Sequence, residues 1–307
     1  MRDPDGLYEL SADADSVPRG LPLVAALTGF ADAGGAVTQV SEYLLDTLDH
    51  ETVAEFDTDE LLDYRARRPT IYFDQDHLSD FTPLSLGLYL MKDELEQPFL
   101  FLTGFEPDFQ WQRFTAAVLD LIERFQVSTT TWVHAIPMPV PHTRPISVTV
   151  SGNRSELVEA LSVWKPRTQV PANALHMVEF GLQEIDHPIA GFVLLVPHYL
   201  ADTEFPAAAV SGLESISAAT GLIFPTDRLR EDGRDFLTKI DGQVENNQEL
   251  AKLVGTLEQR HDSYMQDNPL RSPLTDVDGE LPTADEIAAE LQNFLASRRA
   301  GDEDQTS

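Results

Sequence analysis

Four short runs rich in apolar and β-forming residues, separated by segments with helical periodicity, most constrain the fold of this chain. The runs cover residues 21–28, 98–103, 129–136 and 189–196. They are largely continuous rather than alternating, as expected for strands that are covered on both faces. Strands of this kind belong to parallel sheets with helices on each side. The pattern therefore predicts an α/β fold, a three-layer α/β/α sandwich with a largely parallel sheet.

Segments with other strand and helix signals lie between and after these runs. Predicted helices cover residues 108–125 and 207–220, another begins at Gly34, and additional strands are expected at 52–57, 70–73 and 146–150. The helices are indicated by apolar residues that recur every three or four positions. The alternation of strand and helix supports the α/β assignment.

The strand signal stops after the first 225 residues, which sets the predicted domain organisation. We expect an α/β core domain at residues 1–225 and a helical segment at 226–268 that packs on the core. Residues 269–307 are expected to contain a linker, a short helix and a disordered acidic tail. The short helix is indicated by Thr283 and Glu286, which have the spacing of a capping box.

The charge and cysteine content exclude several classes of function. The formal net charge is −31 and the chain has no cysteine. A surface with this much negative charge repels nucleic acid and anionic membranes. An acidic proteome or a salty cytoplasm explains the charge equally well. The lack of cysteine excludes thiol nucleophiles and Cys-ligated metals. With no hydrophobic leader and no apolar run near the roughly 20 residues of a membrane span, we expect a cytoplasmic protein.

The stretch "LTGFADAGGA" joins the first apolar run to a helix. The spacing of Gly29 and Gly34 matches a P-loop, but Gly35 and Ala36 stand where that motif needs lysine and a hydroxyl residue. Triphosphate hydrolysis by this loop is therefore not expected. Two interpretations stay open: a tight turn that requires glycine, with Asp32 capping the helix, or a ligand crevice at the helix N-terminus. We favour the turn.

A second stretch, "TGFEPDFQWQRF", repeats the order strand, glycine, acid, proline, helix. Gly104 and Glu106 would then lie at the same sheet edge as Asp32, and the two carboxylates would face one crevice. Paired carboxylates serve as acid and base when their environments separate their pKa values, but they are also common helix caps. We favour capping here as well.

The segment "AIPMPVPHTRPI" is stiffened by four prolines, which hold the preceding residues in extended conformations. It presents His142 and Arg144 in a fixed way. Arg144 is suited to binding a carboxylate through two hydrogen bonds. The alternative, which we slightly favour, is a rigid loop in which both side chains bind backbone carbonyls. A further cluster, "DQDH" at residues 74–77, has metal-ligand residue types but no accompanying motif, so a solvated loop and no metal site are expected.

These stretches together resemble a known family. "LTGFADAGGA", "FLTGFEPDFQW", "PMPVPHTRP" and "NNQELAKLVGTLEQRHDSYM" are similar to the bacterial, actinobacterial-type branch of the proteasome-assembly-chaperone-two family. The resemblance extends over roughly residues 7–265. It implies a phosphorylase/hydrolase-like α/β/α sandwich with C-terminal helices. Eukaryotic members of the family are non-catalytic chaperones that bind proteasome α-subunits during assembly.

The resemblance implies a non-catalytic protein-binding or assembly-chaperone-like protein with a protein partner, for example a proteasome-related one. We expect a homo-oligomer, for example a trimer, because similar folds often form one, and we assign no catalytic residue, cofactor or metal. The alternative is an enzyme or small-ligand binder, phosphorylase/hydrolase-like or an ATP-grasp-labelled ligase. The crevice residues for a ligand or partner would be Gly29, Phe30, Asp32, Gly34, Gly35, Gly104, Glu106, Trp111, His142 and Arg144.

Overall fold

The computed structural model describes residues 3–165 and 167–267. An eight-stranded mixed sheet lies at the centre of this part of the chain. The strands are β1 (Tyr8–Leu10), β2 (Leu23–Thr28), β3 (His50–Phe56), β4 (Thr70–Asp74), β5 (His77–Thr82), β6 (Leu86–Lys92), β7 (Pro98–Phe105), β8 (Thr130–Met138), β9 (Ser147–Gly152) and β10 (Ile189–Pro197). The helices are α1 (Ala36–Thr47), α2 (Thr58–Leu61), α3 (Trp111–Arg124), α4 (Ser155–Leu161), α5 (Ala174–Glu184), α6 (Pro206–Thr220), α7 (Asp227–Glu245) and α8 (Gln248–Asp267).

The sheet has parallel strands at its centre and antiparallel strands at both edges. The strand order is β1-β3-β6-β7-β2-β8-β10-β9. Neighbours in the group β7, β2, β8 and β10 pair in parallel, and β6 and β9 flank this group in antiparallel orientation. The four predicted apolar runs form this parallel group. The predicted α/β/α sandwich is confirmed, and its parallel pairing is concentrated in these strands.

Helices cover both faces of the sheet and create two apolar cores. Helices α1, α6 and α7 pack on one face, and α3 and α5 pack on the other. In β2, Val24 and Ala26 point into the first core, while Leu23, Ala25 and Leu27 point into the second. A strand that buries side chains on both faces has no polar side to expose, which explains the continuous apolar run.

Strands β4 and β5 form a separate two-stranded hairpin whose side chains are mostly exposed. The strand predicted at residues 70–73 is confirmed as β4. The turn at Gln75–Asp76 lies inside the "DQDH" cluster and is solvent-exposed, with His77 near the carboxylates of Asp74 and Asp76.

The helices α7 and α8 lie within the segment 226–268. Leu229 and Ile240 of α7 belong to the core beside α1 and α6, and Val254 and Leu257 of α8 are buried. The helix predicted at Thr283 lies outside the described residues, and the division into core, helical segment and tail stays a prediction. None of the described helices is both long enough and apolar enough to cross a membrane.

Candidate functional site

The loop after β2 is a tight turn in which the chain's own carboxylate caps the following helix. Gly34 and Gly35 have φ angles of +71° and +56°, a left-handed conformation that glycine adopts without strain. The Asp32 carboxylate accepts hydrogen bonds from the backbone N–H of Val37 at 2.7 Å and of Thr38 at 2.9 Å. It also accepts one from the Thr38 hydroxyl at 2.7 Å. Two amides in the first turn of α1, which could bind an anion, are thus bound by Asp32.

Gly104 has a different role from the glycines after β2. It lies inside β7 with φ +130°, opposite Leu86 of the neighbouring strand β6. A Cβ atom here would lie 2.2 Å from the Ser85 carbonyl oxygen, closer than any real contact. Glycine is therefore required by the close approach of two backbones.

Glu106 follows β7 and connects three parts of the fold. Its backbone N–H donates to the Thr28 carbonyl at 2.7 Å, which ties the end of β7 to the end of β2. Its buried carboxylate accepts a hydrogen bond from the Ala174 N–H at 2.7 Å, at the start of α5. Burial raises the pKa of Glu106, an effect opposed by this hydrogen bond and by Arg67. Asp32 and Glu106 thus bind the N-termini of helices on opposite faces of the sheet and do not share one crevice. Asp32 caps the helix that follows it, whereas Glu106 binds α5 and not α3, the helix that follows it in the sequence.

Arg67, which sequence reasoning did not single out, lies at the junction of these turns. Its guanidinium forms an ion pair with Asp108 and lies 5.4 Å from the centre of the Phe105 ring. A Cβ at Gly29 would lie 2.9 Å from its Nη2, so the arginine packs directly on the loop after β2. The sequence signal was the basic stretch around Arg67 in an otherwise acidic chain.

The ring of Phe30 packs on a buried histidine, His134, in the central strand β8. Its ring stacks parallel on that of His134, with 5.7 Å between the centroids. Burial lowers the pKa of His134 to about 4, with a further lowering from His176 and an opposing effect of Asp32. His134 is therefore neutral at pH 7. Ala31, next to Phe30, has a φ angle of +38°, which is unusual for a residue with a side chain.

Below this pair, Trp132 of β8 connects the sheet to α5. Its indole N–H donates to Glu179 at 2.7 Å, and the Ser151 hydroxyl donates to the same oxygen at 2.8 Å. Burial raises the pKa of Glu179, while these two hydrogen bonds lower it. The indole occupies the space beside Gly191, where a Cβ would lie 2.4 Å from the ring. The arrangement is a satisfied polar contact between β8, β9 and α5.

The proline-rich segment after β8 binds the C-terminal helices. Arg144 donates from Nε and Nη2 to the two oxygens of Asp262 at 2.9 and 2.8 Å, and its Nη1 lies 3.3 Å from Glu258. These hydrogen bonds, with one from His261, lower the pKa of Asp262 to about 2. The predicted two-bond arrangement is present, but its carboxylate belongs to α8 of the same chain.

His142 makes the matching contact with α7. Its Nδ1 lies 2.6 Å from the hydroxyl oxygen of Tyr199, and its Nε2 lies 3.2 Å from Asp241. The imidazole is almost fully buried. The main contacts of His142 and Arg144 are thus with side chains of this chain. Arg144 also donates from Nη1 to one backbone carbonyl, that of Thr143, at 3.2 Å.

The candidate residues fall into two groups. The first surrounds the ends of β2 and β7, and the second holds α7 and α8. Trp111, the first residue of α3, lies close to the first group. Its indole N–H donates a hydrogen bond to the carbonyl of Pro107 at 2.6 Å, and Pro107 directly follows Glu106. Within residues 3–165 and 167–267, no group of three or more His, Asp or Glu side chains is placed to hold a metal.

With this geometry established, the chain can be compared with known proteins. The model of the PAC2 family matches residues 26–244, from within β2 to the last turn of α7. The chain belongs to the PAC2 family. The resemblance inferred from the glycine turns and the proline-rich segment is thereby confirmed. No functionally curated protein matches it.

Solved structures of PAC2-like proteins share the fold. A Corynebacterium glutamicum protein of unknown function is 38% identical, and the match covers 86% of this chain and 100% of the C. glutamicum chain, with a TM-score of 0.82. A Mycobacterium tuberculosis protein of unknown function is 40% identical, with 85% and 93% of the two chains covered and a TM-score of 0.79. A proteasome-assembly chaperone homologue from M. tuberculosis is 22% identical, covers 76% of this chain and 100% of its own, and has a TM-score of 0.69.

Proposed function

We propose that this PAC2 protein is a non-catalytic, cytoplasmic, protein-binding protein that acts like an assembly chaperone on proteasome α-subunits. Membership of the family supports this proposal. So does the shared fold with a protein described as a proteasome-assembly chaperone homologue. As part of the same proposal, the protein works as a homo-oligomer, for example a trimer.

The observation that carries the proposal is the state of the two helix N-termini beside the glycine turns. Phosphate sites in α/β proteins use the free amides at such positions. Here the Val37 and Thr38 amides in the first turn of α1 are bound by Asp32, and the Ala174 amide of α5 is bound by Glu106. Arg67, the nearest cation, is paired with Asp108. A phosphorylated substrate would have to displace these carboxylates, so the geometry favours a role in binding proteins.

The test is direct binding to purified α-subunits of the M. tuberculosis proteasome, measured by biolayer interferometry. We expect saturable binding with a Kd below about 10 μM, since weaker contacts would not persist during assembly. On native gels, the protein should also accelerate the formation of core particles from separate α- and β-subunits.

Two controls separate this function from simpler explanations. An unrelated globular protein of similar negative charge should not bind the α-subunits, because non-specific charge attraction is screened at physiological salt. Magnesium-ATP, nucleosides and phosphate should leave the melting temperature unchanged. Failure to bind α-subunits, or nucleotide cleavage by the purified protein, would contradict the proposal.

A further inference from the structure

A groove with a volume of about 710 Å³ runs between helices α3 and α5, on the face of the sheet opposite α1, α6 and α7. Its floor is apolar and is formed by the nearly buried side chains of Ala116, Leu119 and Ile122 of α3. Ile185, the residue that ends α5, lines the other side and is 60% exposed. The α3–α5 groove therefore offers a concave apolar surface to a partner.

The groove has the shape and length that suit a helix. Ala116, Leu119 and Glu123 line it at intervals of three and four residues, so they form a row along one side of α3. Ala116 and Glu123 are about two turns apart, roughly 10 Å along the helix axis. Side chains of a helix pack as ridges into the grooves that another helix surface presents. A partner helix would contact this row with residues at positions i, i+3 or i+4, and i+7.

The charge along the α3–α5 groove is entirely negative. Its described lining contains the carboxylates of Asp3, Asp120 and Glu123 and no lysine or arginine. The lining also contains His187, whose pKa is lowered from 6.5 by burial, so this side chain is neutral at pH 7. A complementary surface would combine an apolar centre with lysine or arginine side chains at its edge.

The cations nearest to these carboxylates along α3 are bound elsewhere. Arg113 forms an ion pair with Glu60 at 2.8 Å, and Arg124 forms one with Asp15 at 2.9 Å. Within residues 3–165 and 167–267, no ion pair includes any of the three carboxylates of the groove. Their negative charge is thus not neutralised by this part of the chain.

Two of the three acids are also held in place beside the groove. The Tyr8 hydroxyl donates to the Asp120 carboxylate at 2.5 Å. The Asp3 carbonyl accepts a hydrogen bond from Nε of Arg113 at 3.1 Å, which ties the N-terminal segment to α3. Groups that are already ordered lose less conformational entropy when a partner binds them.

We propose that the α3–α5 groove binds an amphipathic helix of a partner protein, whose apolar stripe fills the groove and whose lysine or arginine side chains pair with the acidic edge. None of the eight described helices of this chain has a net positive charge, so we assign the bound helix to a different protein. The homo-oligomer of the proposed function is compatible with this assignment, because it can form through another surface.

This inference rests on the protein-binding part of the proposed function. It goes beyond that function by naming the surface of contact, the secondary structure of the bound segment and its charge. It also places the contact on helices α3 and α5, on the face of the sheet that α7 does not cover.

The first experiment uses a synthetic amphipathic peptide of about 18 residues with a leucine stripe and flanking lysines, since shorter isolated helices are marginal in water. One control peptide has glutamate in place of each lysine. The other has the lysine peptide's composition in scrambled order, so it measures the general attraction of lysines to a chain of net charge −31. In fluorescence anisotropy with the full chain at about 0.15 M salt, the lysine helix should bind at least about tenfold more tightly than either control.

The apolar side of the groove is tested with Ile185→Ser. This variant should weaken binding of the lysine helix at least about fivefold, because it removes the exposed apolar side chain that would contact the leucine stripe. The matched control is Ile223→Ser in the loop between α6 and α7, whose side chain is 44% exposed and lies outside the groove. Since both isoleucines are exposed, neither variant should change the melting temperature appreciably.

The acidic edge is tested with Asp120→Asn/Glu123→Gln. This variant should reduce the preference for the lysine helix over the glutamate helix at least about threefold, because it removes two carboxylates from the groove. The matched control is Glu42→Gln/Asp46→Asn, which removes two exposed acids from α1 on the other face of the sheet. It changes the net charge equally and should keep the preference of the wild type.

Three results would overturn the inference. The first is equal binding of the lysine helix and the scrambled peptide by the wild type. The second is an equal effect of the groove variants and their matched controls. The third is a change from oligomer to monomer in Ile185→Ser, measured by analytical ultracentrifugation, because the groove would then hold a second copy of the chain.

The same variants separate this inference from the proposed function. If wild type and Ile185→Ser bind proteasome α-subunits equally well, the α3–α5 groove is refuted as the docking site and the chaperone-like function stands. If the α-subunits do not bind but the lysine helix binds through the groove, the proteasome-related function is refuted and the docking site stands.

Discussion

At the scale of single residues, Asp32 decides the stability of the turn after β2. Substitution Asp32→Ala removes the acceptor of three hydrogen bonds at the start of α1. The free energy of unfolding should fall by about 1–2 kcal/mol, as for other lost N-terminal caps. Urea denaturation measures this. The control is Asp46→Ala, an exposed acid in the last turn of the same helix, which should be neutral or slightly stabilising. Equal losses in both variants would contradict the capping role.

His134 makes stability depend on pH. Its folded-state pKa of about 4 lies below the ordinary value of 6.5, so the unfolded chain takes up the proton first. Its contribution is complete above pH 6.5 and declines as the pH falls towards 4. Between pH 7 and pH 5, this amounts to about 2 kcal/mol.

The variant His134→Gln isolates this contribution, because glutamine does not titrate. We expect the difference in unfolding free energy between pH 7 and pH 5 to be smaller in the variant by about that 2 kcal/mol. The neighbouring His176, whose pKa burial also lowers, remains in both proteins, so the effect of its own burial is common to the two. An unchanged difference would show that His134 is protonated equally in the folded and unfolded chains.

At the scale of elements, Arg144 controls how firmly α8 is held. Lysine keeps the charge of Arg144 but cannot form the two parallel hydrogen bonds to Asp262. In Arg144→Lys, backbone amides of α8 should exchange hydrogen at least about threefold faster, while those of β2 and β8 stay unchanged. Hydrogen-exchange mass spectrometry measures both. The control is Arg124→Lys, which changes the ion pair between Arg124 and Asp15. In this variant the hydrogen-exchange rates of α8 should equal those of the wild type.

The sequence predicts most of the buried strands, and it does not reveal contacts between residues that lie far apart in the chain. Strands β2, β7 and β10 were predictable because they bury both faces. Side chains of the hairpin face solvent, so β5 has no burial signal. Binding of a carboxylate was one of two interpretations of Arg144, but its partner Asp262 lies 118 residues further on. Likewise, Arg67 and Asp108 are 41 residues apart, and only the folded chain brings them together.

At the scale of the whole molecule, the net charge of −31 destabilises the compact state through self-repulsion. Salt screens this repulsion, with a Debye length that falls from about 30 Å at 0.01 M to about 10 Å at 0.1 M. The melting temperature should therefore rise with sodium chloride over this range. Differential scanning fluorimetry measures it, with sucrose at equal osmolality as the control. A falling melting temperature would mean that the ion pairs outweigh the repulsion.

The hydrogen bond between the Glu106 carboxylate and the Ala174 amide has a consequence for folding during synthesis on the ribosome. The two residues are 68 positions apart, so a ribosome working at about 5–20 residues per second delivers Ala174 roughly 3–14 s after Glu106. During that interval α5 is missing and one face of the nascent sheet has only part of its cover. The newly made protein therefore passes through a period of several seconds in which aggregation competes with completion of the fold.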